Sequence, residues 1–393
     1  MSDDATELAR LSAAQRAALR HVDASAASRA ADARAAIDRI LREAGVSSAT
    51  FERAMSAVRA HARVIVHFHP DRIANEGITV AEGLVRDGRY RNQFETGLSA
   101  GGRTAFPGGD RDRWEEVLFG GAYHGPGVRP DERPKYGALE LVRHPDGPTP
   151  RFGSCYLVLR PSVAHRTTFT FAGSEQALAP ARAGTMGQLD VVLAALLAEV
   201  AAGEGAEVAW PPFRAATLGL ANVTVAQLVA RLEALSFGRA DPAPGVAGRV
   251  LDSCIEAQVH GAIEIGRDVE LLVVDPSFKG TPTGACLGEL CRRHRVPLRR
   301  HPGFRLRVRD VPDDFRGPAM PRLARRIAGE DGILDAAVIG AAEATLWTRP
   351  EDWRDWGTHD ETLQHLKQLW HVLVHRGAPA LEAASRPGAS SRS

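Results

Sequence analysis

Two short β-branched segments, far apart in sequence, do most to constrain what this chain can fold into. The later one reads Cys254-Ile255-Glu256-Ala257-Gln258-Val259-His260-Gly261. As an extended strand it throws Glu256, Gln258 and His260 onto one face and Ile255, Ala257 and Val259 onto the other. A carboxylate, an amide and an imidazole in a row are too polar for an ordinary core face. They suit the floor of a ligand cleft, with a strand that simply faces solvent as the plain alternative. The earlier segment, Val64-Ile65-Val66-His67-Phe68-His69-Pro70-Asp71-Arg72, also starts as a strand and ends in a histidine pair. The apolar run Val269–Val274 argues that the later strand lies inside a sheet.

The chain has 393 residues and a formal net charge of +1, with 44% hydrophobic and 25% charged residues. That length predicts two domains, or one large domain with helical additions. Balanced charge gives no reason to expect nucleic acid or an acidic membrane surface as a partner. The four cysteines, Cys155, Cys254, Cys286 and Cys291, form no C-x-x-C pair, so reduced thiols in a cytoplasmic setting are expected. The acidic start Met-Ser-Asp-Asp does not read as a secretory signal, and the run Leu189–Ala202 is too short to span a bilayer. A soluble, cytoplasmic protein is the expectation, with export that needs no N-terminal signal left open.

Helical spacing over residues 4–60 predicts two or three helices broken near Gly45-Val46-Ser47-Ser48. A strand follows at 63–68, then a helix over 79–86 closed by Gly88, and a short helix around 110–119. Residues 136–142 and 152–160 read as two strands joined by Pro145-Asp146-Gly147-Pro148, as in a hairpin. Further strands are expected at 166–171, 269–274 and 304–309. Helices are expected at 186–203, 224–236 and 284–295 and through most of the C-terminal part. The expected organisation is an N-terminal helical region, 1–60, and an α+β domain, 61–310, with a helical insertion at about 186–240. A C-terminal helical region, 311–378, and a disordered tail, 379–393, complete it. Strands clustered in the middle with helices before, between and after give an α+β pattern.

The pair His67-Phe68-His69 has several readings. It could bind a divalent metal, as in hydrolases with H-x-H at the end of a first barrel strand, but such a site needs more ligands. His144, His165, His260 and Asp275 show no spacing that supplies them. A J-domain loop would need a helix before His69-Pro70-Asp71, where this chain has a β-branched run. The histidines could instead hydrogen-bond a bound nucleotide, or be turn histidines satisfied by backbone. Gly97, Gly101 and Gly102 make neither G-x-x-x-x-G-K-[ST] nor G-x-G-x-x-G. No G-x-S-x-G elbow occurs, and Cys155 and Cys254 lack activating neighbours.

Several longer stretches resemble a known family. These are H-F-H-P-D-R at 67–72, Y-R-N-Q-F-E-T-G-L-S at 90–99 and R-P-K-Y-G-A-L at 133–139. To them add R-F-G-S-C-Y at 151–156, E-A-Q-V-H-G at 256–261 and D-V-E-x-L-V-V-D-P-S-F at 268–278. Over roughly residues 60–310 the chain resembles the domain-of-unknown-function family 3626 (DUF3626). The layout is similar to that of mono-ADP-ribosyltransferases, which implies a central split mixed β-sheet and NAD+ as substrate. Under that resemblance Glu256 is the catalytic acid, with Gln258 beside it. His67 or His69 would hold the nicotinamide ribose, and Thr96 and Ser99 stand where a Ser-Thr-Ser motif supports the site. Tyr136 would stack on nicotinamide, and Arg72, Arg91 or Arg133 would pair with the pyrophosphate. His260 joins the cofactor-binding set. The order Glu256-x-Gln258 departs from the usual Gln/Glu-x-Glu, and Ser-Thr-Ser is not intact. The implied activity is NAD+-dependent transfer of ADP-ribose to an acceptor, expected to be a protein, with no metal. A metal-dependent hydrolase or a non-catalytic nucleotide-binding module are the alternatives.

Overall fold

A computed structural model of the chain describes residues 7–74, 76–98, 105–203, 218, 223–237 and 255–380. Cys254, Ser99 and much of the predicted insertion lie outside the described residues.

In chain order, helices α1 (Ala13–Ala27), α2 (Ala30–Glu43) and α3 (Ser48–His61) lead into strand β1 (Arg63–Phe68). Ser47 caps α3 by accepting the Thr50 N–H, which is why the chain breaks where the sequence predicts. Next come α4 (Val80–Asp87), the one-turn α5 (Gln93–Thr96) and α6 (Asp110–Leu118). Thr79 and Glu82 form a capping box at the start of α4, and Gly88 ends it at φ +64°, a left-handed conformation that favours glycine. Strands β2 (Lys135–Glu140), β3 (Cys155–Leu159), β4 (Thr167–Phe171) and β5 (Ala183–Thr185) follow. Helices α7 (Asp190–Gly203) and α8 (Val225–Glu233) precede β6 (Ile255–Val259) and β7 (Val269–Val274). The described chain continues through α9 (Pro282–His294), β8 (Leu298–Arg300), α10 (Ala319–Ile327), α11 (Ala336–Thr348) and α12 (His359–Arg376).

The fold is α+β around one large mixed sheet. Eight strands hydrogen-bond in the order β8-β7-β3-β1-β2-β6-β4-β5. Only β8 and β7 run parallel; every other neighbouring pair is antiparallel. The sheet is therefore continuous where a split sheet was expected. The predicted hairpin is also corrected. β1 lies between β2 and β3 and pairs with both, with Val64, Ile65 and Val66 buried in that central place.

One sheet face carries Val64, Val66, Phe68, Leu139, Ile255, Ala257 and Val259, all in the main hydrophobic cluster. Ile37 and Leu41 of α2, Phe51 and Val58 of α3, Leu193 of α7 and Leu228 of α8 join the same cluster. Each such side chain contributes roughly 1.5–3 kcal/mol by leaving water, so the N-terminal and inserted helices are bound to this face. The opposite face carries a smaller apolar cluster of Ile65, Tyr156, Val158, Leu271 and Val273 and, beside it, the polar side chains.

Other expectations shift by a few residues. The helix predicted from 186 starts at Asp190, because Ala183–Thr185 first pair with β4. The strand expected at 304–309 shrinks to Leu306–Arg307, paired with Leu334 and Ile333 and followed by a 3-10 turn. The start of the segment assigned to the tail is held in place: just after the bridge between Ala378 and Arg305, the Ala380 N–H donates to the Pro302 carbonyl. Among the described residues, no helix is long and apolar enough to cross a membrane.

Candidate active-site cleft

The register fixes which side chains share the polar face. Ile65 lies opposite Ala138, Ala138 opposite Glu256, and Tyr136 opposite Gln258. Alternation then puts His67, Tyr136, Glu256 and Gln258 on one side of the sheet. The strands β1 and β6 flank β2 and His67 lies two residues along from the line of Glu256, so the two stand roughly 12 Å apart across the sheet. Both border one cleft of about 550 Å³.

α6 crosses above this face. Its Arg111, Trp114, Glu115 and Leu118 recur at helical spacing, so they form one side of the helix. The Arg111 guanidinium lies 4.2 Å from the centre of the Tyr136 ring and 5.2 Å from that of Trp114, within cation–π range. Its Nη1 donates to Ser174 Oγ at 3.1 Å. The Tyr136 hydroxyl donates to Glu115 Oε1 at 2.8 Å, and Arg133 Nη1 donates to Glu115 Oε2 at 2.9 Å. Burial still pushes the Glu115 carboxyl up to about 7, despite Arg133 and Tyr136.

Glu256 is anchored at the cleft floor. Its Oε1 accepts the Ser174 N–H at 3.2 Å and the Gln258 amide at 3.0 Å. Burial raises its pKa above the ordinary carboxylate value; the nearby Arg111 charge opposes that rise and the Glu175 carboxylate adds to it. Gln258 is fully buried and does not border the cleft. Its carbonyl accepts from Thr168 Oγ1 at 2.8 Å, and its Nε2 donates to Thr170 Oγ1 at 3.1 Å as well as to Glu256. The carboxylate and threonine partners leave only one sensible amide orientation.

His260 is also fully buried and outside the cleft. Tyr123 and Phe119, just past α6, cover its ring. Nδ1 lies 2.6 Å from the Tyr123 hydroxyl and Nε2 3.2 Å from Thr168 Oγ1. Because Thr168 gives its proton to Gln258, it accepts from Nε2–H, and Nδ1 then accepts from Tyr123. The donors of Tyr123, His260, Thr168 and Gln258 thus point in sequence toward Glu256. Burial among Lys135 and Arg166 lowers the His260 imidazole to about 3. Gln258 and His260 therefore lie behind Glu256, outside the cleft lining.

His67 borders the cleft with both ring nitrogens on backbone groups. Nδ1 lies 3.1 Å from the Gly153 carbonyl, and Nε2 accepts the Thr149 N–H at 3.4 Å. Its ring leans on Tyr156 at 5.0 Å. The predicted turn passes over it: a Cβ on Gly147, at φ +78°, would come within 2.4 Å of His67 Nε2. His69 borders the cleft edge-on to Trp370, with burial holding it neutral.

Arg72, Arg91, Thr96 and Tyr136 all line the cleft. Arg72 pairs with Glu343 at 3.4 Å, and Arg91 with Asp87 at 2.7 Å and with Glu76. Thr96 Oγ1 donates to the Asn92 carbonyl at 3.0 Å. Ser99 lies outside the described residues. Arg133 does not reach the cleft; it is buried against Asp112 and Glu115. Tyr136 lines the wall as expected, but with Arg111 already stacked on its ring. Among the described residues, no group of three or more His, Cys, Asp and Glu side chains is placed to hold a metal ion.

The sequence reading passed over Arg111, Trp114, Ser174, Glu175 and Arg151, all of which line or support the cleft. The Arg111-x-x-Trp114-Glu115 spacing was an available signal for the first two. Ser174 acts through its backbone, which no residue type announces. The lining found here has five arginines, at 72, 89, 91, 111 and 151, against two carboxylates, Glu175 and Glu256. Three of these arginines are paired with carboxylates behind the lining, Arg72 with Glu343, Arg89 with Glu95 and Arg91 with Asp87, and the cleft offers one fixed acid at its floor.

A family model described as a protein of unknown function (DUF3626) matches residues 63–376. No curated protein matches the chain.

Proposed function

The chain belongs to the DUF3626 family, and from the cleft we propose that it is an NAD+-dependent ADP-ribosyltransferase. The observation that carries the reading is Glu256, held by the Ser174 N–H and the Gln258 amide at the floor of an arginine-rich cleft.

NAD+ carries a pyrophosphate and a cationic pyridinium joined through ribose. Arginines at 72, 91 and 151 suit the phosphate oxygens, since guanidinium groups match oxyanions. Breaking the nicotinamide–ribose bond spreads positive charge over C1′ and the ring oxygen. An ionised Glu256 stabilises that charge, and its fixed hydrogen bonds mean it need not reorganise as the bond breaks. Tyr136 and Trp114 supply ring faces for the planar leaving group, with Arg111 moving off Tyr136 to admit it. A protein side chain as acceptor gives transfer; water gives NAD+ hydrolysis from the same residues.

Glu256→Ala leaves the fold intact and lowers nicotinamide release from labelled NAD+ by roughly 10²–10³-fold. The check is chromatographic measurement of nicotinamide beside a melting curve of each chain. Undiminished release would refute the role of Glu256, and NAD+ that binds without any release would identify a binding module instead.

A further inference from the structure

Resting on that reading, we propose that Glu175 is the general base that takes the proton from the incoming acceptor. In that reading Glu256 is already assigned to the ribosyl cation, with its Oε1 committed to Ser174 and Gln258. The acceptor arrives from solvent. Glu175 is the other carboxylate lining the cleft among the described residues, and it is exposed.

The local backbone is built to keep it there. β4 ends at Phe171, and Ala172 then takes φ +66°, a left-handed conformation that non-glycine residues rarely adopt. That turn swings Ser174 N toward Glu256 and leaves Glu175 folded back over Gly173. A Cβ on Gly173 would lie 2.0 Å from Glu175 Oε2 and 2.4 Å from Oε1. The glycine thus leaves space that the carboxylate itself uses. Glu175 is also close enough for its charge to be felt at Glu256. The two histidines at the cleft do not compete for this task. His67 is bonded to backbone at both nitrogens, and His69 leaves β1 at the opposite edge of the sheet from Ala172.

The C1′–N bond of NAD+ breaks and its electron pair leaves with the pyridine nitrogen as neutral nicotinamide. A lone pair of the acceptor's oxygen, nitrogen or sulfur forms the new bond to C1′. The proton lost by that atom passes to the Glu175 carboxylate and then to solvent.

Azide tests this, because it is a nucleophile with no proton to lose. Glu175→Ala in the full chain should slow NAD+ consumption in water about 10²-fold or more. Adding sodium azide should restore it and yield ADP-ribosyl azide, seen by mass spectrometry. A Glu175→Ala chain that keeps its rate, or one that loses it and is not restored by azide, overturns the role of Glu175. If the unsubstituted chain releases no nicotinamide, the transferase reading itself falls.

Discussion

The acid at the cleft floor is set by opposing influences. Burial raises the Glu256 pKa, and the Arg111 charge holds it down. In the proposed role the carboxylate works only when ionised, so turnover should rise with pH through a value above the ordinary carboxylate value. Removing the opposing charge lets that value climb further. Arg111→Gln should therefore move the acid limb of the pH profile of kcat/KM to higher pH, on top of a loss in rate. A limb that stays in place would mean that Glu256 does not govern it. How much of this was legible depends on the residue. Alternation alone put Glu256, Gln258 and His260 on one face, and the structure agrees. It could not say that the cleft stops at Glu256, because the cover over His260 comes from Phe119 and Tyr123 of a distant segment. Arg111 was invisible for the same reason: its meaning depends on where α6 rests.

At the scale of elements, the close approach of β1 to β2 decides the cleft wall. A Cβ on Gly137 would sit 2.4 Å from the Ile65 carbonyl oxygen and 3.2 Å from a Val66 methyl. Neither neighbour is the end of a flexible chain. Gly137→Ala should force the strands apart and cost roughly 1–3 kcal/mol, read as a lower denaturant midpoint with an unchanged slope. Nicotinamide release should fall with it, since Gly137 borders the cleft. An unshifted midpoint would show that the sheet absorbs the methyl group. Most individual strands were readable from β-branched runs. Their neighbours were not: Pro145-Asp146-Gly147-Pro148 is a turn, as read, but it folds over His67 instead of joining adjacent strands. Pairing between distant segments is set by burial in three dimensions, and local turn chemistry does not carry that information.

Across the whole molecule, α12 closes one end of the sheet. Trp370 Nε1 donates to the Pro150 and Arg151 carbonyls at 3.0 and 3.1 Å. The next residue, His371, is 2% exposed, with no hydrogen-bond partner on either ring nitrogen among the described residues. Burial and the surrounding Arg151, Arg316, Lys367 and Arg72 lower it to about 2. Its folded pKa is thus below the unfolded value of about 6.5. The unfolded chain binds the extra proton between those values, so stability is complete above about 6.5 and is lost as pH falls toward 2. His371→Leu should keep or raise the melting temperature at pH 7, and should flatten its fall on acidification. A steeper fall would contradict the burial argument. The helical, mixed-sheet character of the fold was evident from residue patterns, whereas the single continuous sheet was not. That sheet has a temporal side. β6 is wedged between β2 and β4, two strands made long before it. A ribosome must release some 260 residues before those strands gain their shared neighbour, and the acid it carries is among the last parts of the cleft to arrive. A truncated nascent chain can hold every arginine of the pocket and still lack its acid, so the cleft is complete only once about two-thirds of the 393 residues have been made.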